Sequence, residues 1–331
     1  MPYVGRVNPA PSVPWTERHQ VALYLMAIAA AVLTGWTVPA APALAPAVTP
    51  VLGLLLFATF LAVPLTALRA AFADLRFLAA VLTVNFAVVP LLVWGLSRAV
   101  AGHDALLLGV LLALLTPCVD YVIAFTGLAG GAAERLLAAA PLLLLVQMLL
   151  LPLYLLVLAG PETVALVETR PFVKAFLLLV LAPLVAAATV QRAARRSAGA
   201  RAVAAATVST MVPLMALTLF TVIASQVRGV GEQLAELAVV VPLYVIFPVL
   251  LVPVGLLAAR LTRLDVPASR ALVFSGVTRN SLVVLPLALA LPERLALTPF
   301  VVVTQTLVEL VAMVVLVRLV PVLVPGRRPP G

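Results

Sequence analysis

Two short polar clusters, each inside an apolar stretch, carry the groups of this chain that are best suited to chemistry. One lies about fifteen residues after His103 and the other about fifteen residues after Asp265. Together they supply a thiol, a carboxylate, a guanidinium, an amide and hydroxyls, in the strings Thr116-Pro117-Cys118-Val119-Asp120 and Thr278-Arg279-Asn280-Ser281. Paired interruptions of membrane helices in the two halves of a chain are typical of the binding sites of secondary transporters. The clusters therefore predict one transport site.

The composition places these clusters in a membrane protein. The 331 residues are 64% hydrophobic and only 10% charged, with a mean hydropathy of +1.23, whereas a soluble domain carries about 25% charged residues. The single cysteine excludes an internal disulfide and a multi-cysteine metal cluster. We predict no cofactor and no enzymatic activity, because no catalytic constellation is present. The net charge of +9 comes from arginines spread over short loops, which is typical of membrane topology and not of nucleic-acid binding.

Ten apolar segments approach the length of about 20 residues that a membrane helix needs. If both termini are cytoplasmic, 15 of the 21 basic residues face inside, 5 face outside, and Arg279 lies within a span. This bias predicts that orientation in a multi-pass protein of the plasma membrane. No cleavable secretory signal is expected in the first twenty residues. The predicted spans are residues 20–39, 50–68, 77–97, 105–128, 136–159, 171–190, 204–225, 236–259, 269–291 and 297–320.

The ten spans divide into two groups of five within a single transmembrane domain covering residues 1–331. The groups cover about residues 20–160 and 171–321. Because five is odd, the second group must run upside down relative to the first. A shared Pro-x5-Gln spacing, from Pro141 to Gln147 and from Pro299 to Gln305, also favours an inverted repeat.

Charged groups inside a membrane need partners or water. Arg279 lies about ten residues from either end of its span, where extension of its side chain to the interface is difficult. We therefore favour a pair with Asp120 over such an extension. Pro117 removes a backbone donor, which predicts a helix break whose freed backbone groups line a cavity. Glu309 lies four residues after Gln305, so both project from one helix face. As an intramembrane carboxylate, Glu309 is the leading candidate for a proton-coupling site, with Asp120 as the second.

Three other polar residues in the spans each have two interpretations. Asn85 and Gln147 serve as interhelical hydrogen-bonding residues or as ligands for a substrate. A buried cysteine usually packs as a small hydrophobic residue, but Cys118 lies at the predicted break, beside a proline and a carboxylate. There, a single soft thiol would bind trivalent arsenic or antimony weakly and reversibly.

At these residues the chain resembles the bile acid:sodium symporter superfamily and, within it, the arsenical-resistance permeases. The residues that carry the resemblance are Cys118, the segment 274–281 and Glu309. The resemblance implies an all-α integral membrane protein with ten transmembrane helices in two inverted five-helix repeats, in which helices 4 and 9 are discontinuous and cross. Helices 1, 2, 6 and 7 would form a panel, and helices 3–5 and 8–10 a core.

The resemblance also implies a function. Arsenite permeases of this branch use a cysteine in the fourth helix and a glutamate in the tenth, and they expel arsenite, and in some cases antimonite, through the proton gradient. Cys118 and Glu309 match these two positions. The substrate-binding residues would be Cys118, Thr116, Arg279, Asn280 and Ser281, with proton coupling at Glu309 and Asp120 and the helix break at Pro117.

One departure from the superfamily leaves a second function open. Sodium-coupled relatives carry, in the ninth helix, a glutamate-containing motif that ends in Gln-Asn. Here Ser275 lies near the position of that glutamate, and Arg279 stands where the glutamine would precede Asn280. Losing an anionic ligand and gaining a fixed cation predicts weak or absent sodium binding. The alternative is a proton- or sodium-coupled carrier of small organic anions, in which Arg279 attracts the substrate and Cys118 only packs.

Overall fold

The computed structural model describes residues 19–62, 72–119, 121–165, 170, 174 and 177–326. Within these ranges the regular structure is helical, apart from one isolated antiparallel bridge. Six of the helices found there are long and apolar enough to cross a membrane. The prediction of an all-α membrane protein is confirmed, and the ten-span inverted repeat stays a prediction. Asp120, the end of predicted span two and the start of predicted span six lie outside the described residues.

The helices are numbered here in chain order. Predicted spans four and nine each correspond to two short helices, and span three contains a π-helical turn at Val84–Val88. The helices of eight residues or more are α1 (Gln20–Thr37), α2 (Ala45–Ala62), α3 (Leu75–Val100), α4 (Asp104–Leu114), α5 (Tyr121–Leu128), α6 (Ala133–Ala159), α7 (Ala182–Ala194), α8 (Ala198–Ser209), α9 (Met211–Glu232), α10 (Val240–Leu261), α11 (Val266–Val277), α12 (Ser281–Leu289) and α13 (Thr298–Leu323).

Both predicted helix interruptions are present. α4 has 11 residues and α5 has 8, while α11 has 12 and α12 has 9. Asp265 caps the start of α11 by accepting a hydrogen bond from Ala268 N at 2.8 Å, and Asn280 caps the start of α12 by accepting one from Val283 N at 3.3 Å. Short polar side chains that accept from the first turn are the usual N-caps. The polar clusters therefore end one helix and begin the next.

Predicted span seven is displaced in the structure. The sequence favours one helix over residues 204–225, but α8 ends at Ser209 and α9 runs from Met211 to Glu232. The hydroxyl groups of Ser209 and Thr210 donate to backbone carbonyls three residues earlier, each at 2.7 Å. Pro213 follows and has no N–H to continue the α8 ladder. The chain therefore turns here, and the prediction was wrong by seven residues at each end.

Packing brings the two interrupted helices beside α13. α4 and α12 both contact α13, and α11 lies against α10. At Gly109 in α4, a Cβ atom would lie 2.5 Å from Val301 Cβ in α13, so this glycine permits a close approach of the two helices. Elsewhere, α9 packs on α1 and α2, and α7 packs on α2. The division into a panel and a core stays a prediction.

Candidate transport site

The two interruptions lie against each other. They form the antiparallel bridge between Pro117 and Arg279. Cys118 N donates to the Thr278 carbonyl at 3.1 Å, and Asn280 N donates to the Thr116 carbonyl at 2.7 Å. Backbone groups freed by the helix breaks thus satisfy one another, as membrane depth requires.

The predicted substrate-binding side chains differ in what they contact. Cys118 is buried, and its main-chain N–H bonds to the carbonyl of Thr278, next to Arg279. The Thr116 hydroxyl donates to Leu112 O in its own helix at 3.0 Å, so it is engaged by the backbone. The Ser281 hydroxyl donates to the side-chain carbonyl of Gln305 in α13.

Glu309 is buried at the centre of a hydrogen-bond network that reaches both interruptions. Its Oε2 accepts from Arg279 N at 2.9 Å and from the side-chain amide of Gln305. Its Oε1 lies 2.7 Å from the Tyr121 hydroxyl, which also lies 2.9 Å from Arg279 O. The prediction that Gln305 and Glu309 share a helix face is confirmed. The carboxylate therefore contacts residues of α5, α13 and the second interruption.

The Arg279 side chain is wholly buried, with no exposed surface. Its Nη2 donates to Asn85 Oδ1 at 2.8 Å, to Ser275 O at 2.8 Å and to Gly276 O at 2.6 Å. Its guanidinium carbon lies 5.4 Å from the ring centroid of Phe247. Asp120 lies outside the described residues, so the Asp120–Arg279 pair stays a prediction.

Two buried hydrogen-bond donors at the interruption have no acceptor in the described part of the chain. They are Arg279 Nε and Asn280 Nδ2. An unsatisfied buried donor costs about 1–3 kcal/mol, so each one calls for an explanation, such as a functional role, a water molecule or an ion. Both donors lie in the segment that pairs with the chain around Cys118.

Three residues of this site were not predicted as site residues. Tyr121 carried one signal, namely its position directly after the first polar cluster. For Asn85 the sequence leaves an interhelical role and a ligand role both open. The residue lies on the π-helical turn at Val84–Val88, and such turns are frequent at functional sites. Phe247 carried no signal, because one phenylalanine in an apolar span resembles any other.

A buried carboxylate and a buried guanidinium thus lie where two broken helices pair, and paired helix breaks are typical of the binding sites of secondary transporters. The apolar helices define a multi-pass membrane protein. The model of the sodium bile acid symporter family matches residues 49–237. Because the match covers more than half of the chain, the protein belongs to that family, whose members are transporters. A comparison with curated proteins finds none that matches the chain.

The matched residues contain the first interruption and stop before the second. Family membership therefore supports the transporter class, and it assigns no role to Cys118. It does not bear on Arg279 or Glu309, whose roles rest on the geometry of the site.

Proposed function

We propose that this protein is a secondary active transporter that exports trivalent arsenic, as arsenite, and antimonite across the plasma membrane, driven by the proton gradient. One observation carries the proposal. The main-chain N–H of Cys118 donates to the Thr278 carbonyl at 3.1 Å, and the carboxylate of Glu309 accepts from the main-chain N–H of the next residue, Arg279, at 2.9 Å. Substrate binding and proton binding would therefore act on the same piece of backbone.

The proposed substrate chemistry is a ligand exchange at arsenic. In water, trivalent arsenic is the uncharged acid As(OH)3. At Cys118, an S–As bond forms and an As–O bond breaks, while the thiol proton leaves with the hydroxyl group as water. Arsenic keeps its oxidation state, and the reverse step releases the acid. The donors Arg279 Nε and Asn280 Nδ2, which have no acceptor among the described residues, would bind the remaining hydroxyl oxygens.

The Tyr121 hydroxyl supports a coupling role for Glu309, because it has one hydrogen and faces two acceptors. When Glu309 is ionised, this hydrogen points to Glu309 Oε1, at 2.7 Å. When Glu309 is protonated, the carboxyl proton donates to the tyrosine oxygen, and the tyrosine hydrogen turns to Arg279 O, at 2.9 Å. Proton loading would thus add a hydrogen bond to the backbone of the interruption. Asp120, next to Tyr121 in the chain, remains the second candidate carrier.

The same proposal includes the architecture. Both termini lie in the cytoplasm, and ten spans form two inverted repeats, with spans 1, 2, 6 and 7 as the panel and spans 3–5 and 8–10 as the core. The matched lengths of the broken helices support this arrangement, since 11 and 8 residues in the first half correspond to 12 and 9 in the second.

A second candidate function has one observation in its favour. α5 and α12 begin directly after the paired interruptions, and the positive N-terminal ends of half-helices favour anionic groups. A proton- or sodium-coupled carrier of small organic anions would use these helix ends, and Cys118 would only pack.

Uptake of arsenite and antimonite into everted membrane vesicles tests the proposal. The proton gradient is first imposed and then collapsed with a protonophore. The variants are Cys118→Ser and Cys118→Ala, and Thr126→Ser is the matched control because it makes an equally small change at another buried residue. We expect wild type and the control to accumulate the metalloid only with the gradient. Uptake by the Cys118 variants should be lower than wild-type uptake by a factor of about ten or more.

Two results would count against this function. Equal uptake by wild type and Cys118→Ser would assign Cys118 to packing. Absence of metalloid uptake by wild type, with gradient-driven uptake of small carboxylates or sulfonates, would establish the second candidate.

A further inference from the structure

The Arg279 guanidinium occupies a cluster of oxygen atoms inside the membrane. Three oxygens lie within 2.8 Å of Nη2, namely Asn85 Oδ1 and the carbonyls of Ser275 and Gly276. The Leu114 carbonyl lies 3.4 Å from Nη1. All four acceptors are neutral, and such oxygens are the ligands that hard metal cations prefer.

Two helix ends contribute negative charge beside this cation. Leu114 is the last residue of α4, and Ser275 and Gly276 lie in the last turn of α11. The C-terminus of a helix carries about half a negative charge from its unpaired carbonyls. Two such ends together approach one full charge of the sign opposite to the guanidinium.

The rest of the site fits a planar cation. Asn85 Nδ2 donates to Ser275 Oγ at 3.0 Å, which turns Asn85 Oδ1 toward Arg279. The Phe247 ring lies 5.4 Å from the guanidinium carbon, within the range of a cation–π interaction. A sodium ion placed among the same oxygens would overlap Nη2 and meet a like charge. The residues present therefore do not fit bound sodium.

We propose that Arg279 is a tethered cation that fills an oxygen site otherwise suited to a monovalent cation, so that this member of a sodium symporter family takes no sodium there. The guanidinium stabilises the ends of α4 and α11 permanently, and the site cannot load and release a coupling ion. The inference deepens the proposed function and rests on it only for the statement that a proton drives transport.

Cation binding to the purified full-length protein tests the inference. Binding of radioactive sodium is measured by equilibrium dialysis, and thermal unfolding is followed with sodium, choline or methylguanidinium as the cation. The variants are Arg279→Ala, which empties the oxygen cluster, and Arg279→Lys, which keeps a tethered charge. Arg228→Ala removes an arginine from α9 and serves as the control.

We expect no saturable sodium binding to wild type, Arg279→Lys or Arg228→Ala. In Arg279→Ala, sodium or methylguanidinium should bind saturably, with bound cation at least about tenfold above wild type, and should raise the unfolding temperature by mass action. Saturable sodium binding to wild type or to Arg279→Lys would overturn the inference. A folded Arg279→Ala that binds neither cation would overturn it as well.

If Arg279→Ala does not fold, sodium binding to wild type and to Arg279→Lys still tests the inference. None of these measurements needs transport, so absence of arsenite uptake alongside the expected binding results would refute only the proposed function.

Discussion

Replacing Asn85 with leucine isolates the amide that holds the buried guanidinium. The side chain is fully buried and accepts from Arg279 Nη2 at 2.8 Å, while its Nδ2 donates to Ser275 Oγ at 3.0 Å. A hydrogen bond to a charged group contributes about 1.5–3 kcal/mol, and a neutral interhelical bond in a membrane protein about 0.6 kcal/mol. The hydrogen bond from Asn85 Nδ2 to Val81 O lies within α3 and joins no second helix, so it is not counted in this sum. Asn85→Leu should therefore lower the free energy of unfolding by roughly 2–4 kcal/mol.

The assay is reversible unfolding in mixed detergent micelles, followed by tryptophan fluorescence. Gln147→Leu is the matched control, because Gln147 is also a buried amide in a membrane helix, and its Oε1 has no partner among the described residues. That substitution should cost less than about 1 kcal/mol. Equal losses in the two variants would refute the reasoning, since the guanidinium contact would then add nothing beyond a neutral amide.

Two further predictions concern Glu309 and Arg263. In Glu309→Gln, the new amide can reproduce the hydrogen bonds of a protonated carboxyl, so we expect a folded protein. This variant should still exchange arsenite across equilibrated vesicles but should no longer accumulate it under a proton gradient. Accumulation that still follows the gradient would contradict proton transfer at Glu309. Arg263 has a φ of 52° at the end of α10, where glycine carries no Cβ penalty, so Arg263→Gly should stabilise the protein by about 1 kcal/mol. Thermal unfolding measures this effect, and a lower midpoint for Arg263→Gly than for the wild type would show that the arginine side chain outweighs the backbone strain.

Hydropathy and the placement of arginines were sufficient to predict an all-α membrane protein, because burial in lipid leaves few alternatives to a helix. The interruptions were also predictable, since polar clusters within apolar spans rarely have another explanation. The position of α9 was not predictable. Residues 198–225 are apolar on either side of Thr210, so hydropathy gave no boundary, and the turn depends on local hydroxyl bonds and Pro213.

At the site, the Gln305–Glu309 contact followed from its spacing of four residues. The contacts of Tyr121 could not be predicted, because they depend on which backbone lies opposite it in the folded chain. For Arg279, the sequence suggested a carboxylate as the counter-charge, and its described partners include main-chain carbonyls at helix ends. Every residue carries a carbonyl, so no residue type in the sequence marks such a partner.

The bridge between the interruptions limits how cargo can cross the membrane. Its two main-chain hydrogen bonds join the ends of α4 and α5 to those of α11 and α12. Separating them would leave four polar groups unpaired at membrane depth, at a cost of several kcal/mol each. The four half-helices therefore form one mechanical unit, and neither interruption can open alone as a gate. If Cys118 binds the substrate as proposed, the substrate should move together with this unit and become exposed to each side in turn as the whole unit is displaced against its neighbours.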